Sequence, residues 1–211
     1  MIHKNMPSKK FWLSLVIFGL IGQVAWVVEN MYLNVFIYKM FQASPKDISL
    51  MVGASAVVAT VTTMLIGPWS DKVGKRKVFI TLGYLFWGLS ILAFALLRQE
   101  RIAMWAPAGV SVAGVGIALT IILDCLMTFF GSTANDAAFN AWLTDATPQA
   151  LRGKVEGINA MMPLLAILVV FGGFMFFDLS LPESWTMIFF IIGGVVFVLG
   201  VLGFWLIHDV P

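Results

Sequence analysis

Six long apolar stretches constrain the fold of this chain more than any other feature. They lie at approximately residues 11–38, 47–69, 77–97, 107–142, 155–177 and 185–207. An α-helix needs about 20 mostly apolar residues to cross roughly 30 Å of hydrocarbon, and each stretch is long enough. Soluble domains carry about 25% charged residues, whereas this chain has 11% charged and 60% hydrophobic residues. The predicted fold class is therefore an all-α membrane protein, in which residues 1–211 form one bundle of six transmembrane helices.

The fourth stretch is too long for one straight span. Gly131 lies within it, and we expect the helix to bend there before its last part leaves the membrane. The basic residues lie in the short loops between stretches, where they indicate orientation rather than affinity for nucleic acid.

The loop cations predict which side each loop occupies. If both termini are inside, the inner segments hold nine Lys and Arg residues and the outer segments hold four. The inner set is Lys4, Lys9, Lys10, Lys72, Lys75, Arg76, Lys77, Arg152 and Lys154, and the outer set is Lys39, Lys46, Arg98 and Arg101. Cytoplasmic loops carry the excess of Lys and Arg, so both termini are expected to be cytoplasmic, in the cell membrane.

The loop between the second and third stretches reads GPWSDKVGKRK from Gly67 to Lys77. Gly67 allows two helices to approach closely, and Gly74 allows a tight turn. Asp71 lies where it can cap a helix start or pair with a nearby cation. The segment resembles the signature loop of the major facilitator superfamily, G-x-x-x-D-x-x-G-x-R-[RK], which in that family braces the helix interface that opens and closes during transport.

A second segment resembles the end of the fourth helix in the glycoside–pentoside–hexuronide cation symporters, the group of melibiose permease. The matching positions are Asp136, Phe139, Ala141, Asp145, Thr147 and Arg152. Ala138 stands where that group has proline. The second stretch offers Ser55, Thr60, Thr62 and Thr63 in place of the acidic pair of the melibiose-type cation site, so that site is not expected here.

The resemblance implies half of a twelve-helix fold. Facilitators contain two six-helix halves, and this chain corresponds to the amino-terminal half. The partner is then either a missing carboxyl-terminal half or a second copy of the chain, and the sequence leaves both alternatives open. Asp145 and Arg152 are expected to form a cytoplasmic gate pair with the signature loop rather than a solute site.

Three acidic residues fall inside predicted spans: Glu29, Asp124 and Asp136. A charge at a helix centre costs about 2.5–3.5 kcal/mol on insertion scales. No Lys, Arg or His lies near the middle of any span, so a proton or a bound cation is the expected compensation. Glu29 has the alternative of lying close enough to the outer surface to be solvated.

Polar residues recur at helical spacing on the first and fourth spans and predict a solute pathway. Counting the three acids, the predicted pathway residues are Gln23, Trp26, Glu29, Asn30, Asn34, Asp124, Asn135 and Asp136. Glu29 is expected about 100° round the helix from Asn30, and Asn135 on nearly the same face as Asp124. The alternative is that amide and hydroxyl side chains only join helices, at about 0.6 kcal/mol each.

The predicted function is secondary active transport by alternating access. The partners are a small solute, expected to be a sugar or glycoside, a coupling proton or cation, and the lipid bilayer. A proton-driven exporter of drugs or metabolites is the alternative within the superfamily, and a membrane sensor or assembly module is the alternative outside it. The chain carries no phosphate loop, HExxH or GxSxG pattern, so no enzyme activity, cofactor or metal site is expected.

Overall fold

The structure is a computed structural model that describes residues 7–209. Lys4, one of the cations used to predict orientation, lies outside this range. The described residues form six helices that are long and apolar enough to cross a membrane, which confirms the predicted fold class. They are α1 Lys9–Phe41, α2 Pro45–Val73, α3 Arg76–Phe94, α4 Val112–Ala146, α5 Gln149–Phe174 and α6 Pro182–Leu206.

Local capping explains where the helices begin. Ser8 precedes α1 and accepts a hydrogen bond from the backbone N–H of Phe11. Ser44 and Asp47 form a reciprocal capping box at the start of α2. Ser111 caps α4 by accepting from the N–H of Gly114, so α4 begins at Val112 rather than near residue 107.

Two of the helices contain π-helical segments. Val28–Tyr32 interrupts α1, and Ser132–Phe139 interrupts α4 directly after Gly131, where the bend was expected. A π turn takes more residues than an α turn, so it shifts the direction of every later side chain, and such segments are frequent at functional sites. Gly131 packs so closely against Trp87 that an added Cβ would lie 2.7 Å from the indole ring.

Helices α3 and α6 make the most extensive helix–helix contact in the described bundle. α1 packs on α5 and α6, and α4 packs on α2 and α3. By contrast, α2 and α5 expose long rows of apolar side chains, including Met64, Leu65, Leu164 and Leu168. In the described bundle α3 and α6 thus form one closely packed pair, and α2 and α5 are the two helices with the smallest buried share.

Two neighbouring glycines of α6 provide a matched test of the contact between α3 and α6. An added Cβ at Gly193 would lie 2.8 Å from the backbone nitrogen of Leu92, whereas Gly194 has no atom within 4 Å of that position. We expect Gly193→Ala to lower the free energy of unfolding by about 1–3 kcal/mol, because the backbone of α3 must move. Gly194→Ala should leave stability unchanged or slightly raised. Thermal unfolding in detergent measures both variants, and equal melting temperatures would contradict this packing.

Candidate functional site

A polar cavity of about 490 Å³ lies between α1, α2 and α4. It contains seven of the eight residues predicted for the solute pathway: Gln23, Trp26, Glu29, Asn30, Asn34, Asp124 and Asp136. α2 adds Met51, Ser55 and Ala59, and Thr128 joins from α4. The polar stripes of the first and fourth spans thus face the same space.

Glu29 and Asn30 both line the cavity, and both lie in the π segment Val28–Tyr32 of α1. The amides of Asn30 and Asn34 donate to the carbonyls of Trp26 and Asn30, each at 2.9 Å. Since these bonds use only the amide nitrogens, the amide oxygens remain available.

Glu29 is buried, with 6% of its surface exposed. The hydroxyl of Thr128 donates a hydrogen bond of 2.7 Å to Glu29 Oε1 and so joins α4 to α1. The alternative that Glu29 is solvated at the outer surface does not hold in this structure. The carboxyl groups of Asp124 and Asp136 lie close enough to repel that of Glu29 when charged.

Several buried polar atoms of the cavity have no hydrogen-bond partner within residues 7–209. They are Trp26 Nε1, Glu29 Oε2, Asn34 Oδ1 and Asp124 Oδ1. Leaving a buried donor or acceptor unpaired costs about 1–3 kcal/mol, more for charged groups. An arrangement of this kind can bind a polar molecule or ion that supplies the missing partners.

The cavity also lacks a compensating positive charge. Its three acidic residues face no Lys, Arg or His among the described residues that line it. Ionised carboxylates in so buried a place need a counter-charge or a proton. The site can therefore take up protons or a cation.

Asn135, the eighth predicted pathway residue, lies elsewhere. Its side-chain nitrogen donates to the hydroxyl of Tyr84 at 2.7 Å, and that hydroxyl donates to the carbonyl of Phe18 at 2.9 Å. The prediction that Asn135 shares the face of Asp124 is wrong, because the π segment that begins at Ser132 changes the register of α4. Asn135 instead joins α4 to α3 and α1.

The signature loop forms a second polar cluster around Arg76. The Arg76 guanidinium contacts Asp145 Oδ2 and Asp71 Oδ1, each at 2.6 Å, and Ser70 Oγ at 3.1 Å. Asp71 lies in the last turn of α2, so it pairs with a cation and does not cap a helix start. Gly74 ends α2 with a φ of 65°, the left-handed conformation that glycine adopts without strain.

Comparison with known proteins decides the family. The sequence profile of the Major Facilitator Superfamily matches residues 11–211. The chain belongs to the Major Facilitator Superfamily. It is 27% identical over 204 residues to "Sugar efflux transporter A" of Dickeya chrysanthemi, an alignment that covers 97% of this chain and 47% of that protein. The chain thus spans about half the length of this curated relative, and no solved structure matches it.

Membership makes this chain a multi-pass membrane protein of a transporter family. In this facilitator, the residues of the predicted gate take different roles. Asp145 contacts Arg76 of the signature loop, whereas Arg152 is exposed and forms no ion pair within the described residues. An added Cβ at Gly67 would meet nothing within 4 Å, so Gly67 makes no close helix approach within residues 7–209. Lys77 contributes a hydrogen bond from its backbone N–H.

The partner of Lys77 is a residue that the sequence pattern did not reveal. The N–H of Lys77, in the first turn of α3, donates to Asp209 Oδ1 at 2.8 Å. The indole of Trp142 donates to the carbonyl of His208 at 2.8 Å. Since no side chain near Lys75 caps α3, the segment after α6 supplies the cap from 132 residues away. A contact between residues so far apart in the sequence produces no local sequence pattern from which it could be predicted.

Proposed function

We propose that this chain is the amino-terminal half of a secondary active transporter that moves a small hydroxylated solute of the sugar type. The cavity between α1, α2 and α4 carries the proposal, because it combines buried carboxyl groups with unpartnered donors and acceptors. Small-molecule sites owe their specificity to a few convergent polar groups of this kind. Facilitator sites lie near the membrane midplane between two halves, which fits a cavity on one side of a six-helix bundle.

Coupling to a proton or cation is assigned to Glu29, Asp124 and Asp136. Each is a carboxyl group on the cavity wall, where a charge needs compensation. A carboxyl group that is neutral in one state and charged in the other links ion uptake to the conformational change.

A polar solute is favoured over a lipophilic drug. The unpartnered atoms of Trp26, Asn34 and Asp124 need hydrogen-bonding partners, which an apolar molecule cannot supply. The resemblance of Asp136–Arg152 to the glycoside–pentoside–hexuronide symporters and the name of the Dickeya protein both support a sugar-like solute. The same name supports the alternative direction, export rather than uptake.

The proposed transporter needs a second six-helix half, either a carboxyl-terminal domain or another copy of this chain. The exposed apolar faces of α2 and α5 support this, since both helices lie at the edge of the described bundle. With both termini cytoplasmic in the cell membrane, the cluster of Asp71, Arg76 and Asp145 would brace the cytoplasmic end of the pathway.

Transport by reconstituted protein tests the function. Native mass spectrometry first establishes whether the chain forms a dimer; if it does not, the second half is supplied by co-expression. We expect an imposed pH gradient to drive accumulation of sugars in proteoliposomes and to leave a lipophilic dye unmoved. Movement of the dye alone would support the drug-exporter alternative, and movement of neither would support a sensor or assembly module.

A further inference from the structure

The cavity of the proposed transporter is acidic without a counter-charge. Glu29 and Asp124, 6% and 2% exposed, both contribute to its wall, and Asp136 lies on the same wall. None of the described residues that line it is basic. Binding of a neutral solute would leave these acidic residues without a positive counter-charge.

The unpartnered atoms show which kind of group is missing. Glu29 Oε2, Asp124 Oδ1 and Asn34 Oδ1 are buried acceptors that receive no hydrogen bond within residues 7–209. Thr128 donates only to the other oxygen of Glu29. The groups missing from the cavity are therefore hydrogen-bond donors, next to the carboxyl groups of Glu29 and Asp124.

Trp26 adds a surface that attracts cations. Its indole ring lines the cavity together with the acidic residues. The face of an indole attracts ammonium groups, by about 0.5–1 kcal/mol at exposed sites and more where water is excluded.

We propose that the solute is a hydroxylated primary amine of the amino-sugar class, bound with its ammonium group against Glu29 and Asp124. An ammonium group offers three N–H donors and a positive charge, so it supplies both of the properties that the cavity lacks. A neutral sugar supplies donors without the charge, and an anionic sugar is repelled. This inference rests on the proposed function, because it specifies the solute of that same site.

Three sugars of different charge test the charge preference: D-glucosamine carries an ammonium group at C2, D-glucuronate carries a carboxylate at C6, and D-glucose is neutral. Equilibrium dialysis in nanodiscs at mildly acidic pH compares D-glucosamine, D-glucose and D-glucuronate, using the same two-half assembly as the transport test. We expect D-glucosamine to bind at least about tenfold more tightly than D-glucose, and D-glucuronate not to bind. In Glu29→Gln and Asp124→Asn the preference for D-glucosamine over D-glucose should fall to less than about threefold.

Matched controls are available on the exposed surface. Glu156→Gln and Asp178→Asn make the same chemical changes at exposed residues outside the cavity, and both should keep the preference. Equal binding of D-glucose and D-glucosamine to the unaltered chain would overturn the inference and leave the proposed function standing. If neither sugar binds, both are contradicted. A preference that survives in the Glu29 and Asp124 variants would also overturn the inference.

Discussion

Glu29→Gln and Asp124→Asn are each expected to reduce gradient-driven solute transport by at least about tenfold, equivalent to about 1.4 kcal/mol. Both changes keep the shape of the side chain and remove its ability to exchange a proton. The two carboxyl groups lie on different helices of one cavity, and only Glu29 accepts the hydrogen bond of Thr128, so neither should replace the other. The initial rate of uptake into proteoliposomes under an imposed pH gradient measures the effect.

Stability distinguishes this loss from misfolding. A buried carboxyl group without a counter-charge is unfavourable to the fold, so its neutralisation should leave the melting temperature unchanged or raised. Glu156→Gln and Asp178→Asn should retain both transport and stability, because both residues are exposed. Full transport by both cavity variants would contradict the assignment of coupling to these residues.

The second large effect is expected for Arg76→Gln. Arg76 is the shared partner of Asp71 and Asp145, with each contact at 2.6 Å. Its removal leaves two carboxylates near each other without their cation. Exposed ion pairs contribute about 0.2–1 kcal/mol each, so we expect a small loss of stability. Transport should fall by at least about tenfold, because the contacts that join the ends of α2, α3 and α4 are lost.

Arg152→Gln is the control for Arg76. Arg152 is exposed and has no ion pair within the described residues, so its replacement should change neither transport nor stability. The double variant Arg76→Gln with Asp145→Asn should lose less than the sum of the single variants, because both remove the same contact. Strict additivity of the two changes, or a large effect of Arg152→Gln, would contradict the observed pairing.

The sequence predicted the six helices and most of the cavity for clear physical reasons. A membrane-spanning helix must satisfy its backbone internally and face hydrocarbon, so the apolar stretches show its position directly. Polar residues inside such stretches cost free energy. The positions of Gln23, Asn30 and Asp124 within them therefore indicated from the sequence that these residues line a common cavity.

The remaining features depend on geometry that hydropathy does not record. The π segments at Val28–Tyr32 and Ser132–Phe139 changed the register of α1 and α4. The segment in α4 directed Asn135 toward Tyr84 and away from the cavity.

The sequence predicted that Asp145 and Arg152 form a gate pair with the signature loop, but not which residues would touch. Asp145 contacts Arg76 of that loop, 69 residues away in sequence, whereas Arg152 is exposed. The packing of α3 beside α4 produces the contact between Asp145 and Arg76, and no local sequence pattern indicates it.

Water access to the cavity between α1, α2 and α4 tests the central claim most directly. Cys125 is the single cysteine of the chain, so a Cys125→Ser background allows one reporter cysteine at a time. Ala59→Cys places the thiol on the cavity wall of α2, and Val198→Cys places it on an exposed apolar face of α6. A membrane-impermeant thiol reagent should label Ala59→Cys, more slowly when transported solute is present, and should not label Val198→Cys. Equal lack of labelling at both positions, or labelling of Ala59→Cys that solute never slows, would contradict a solute pathway at this cavity.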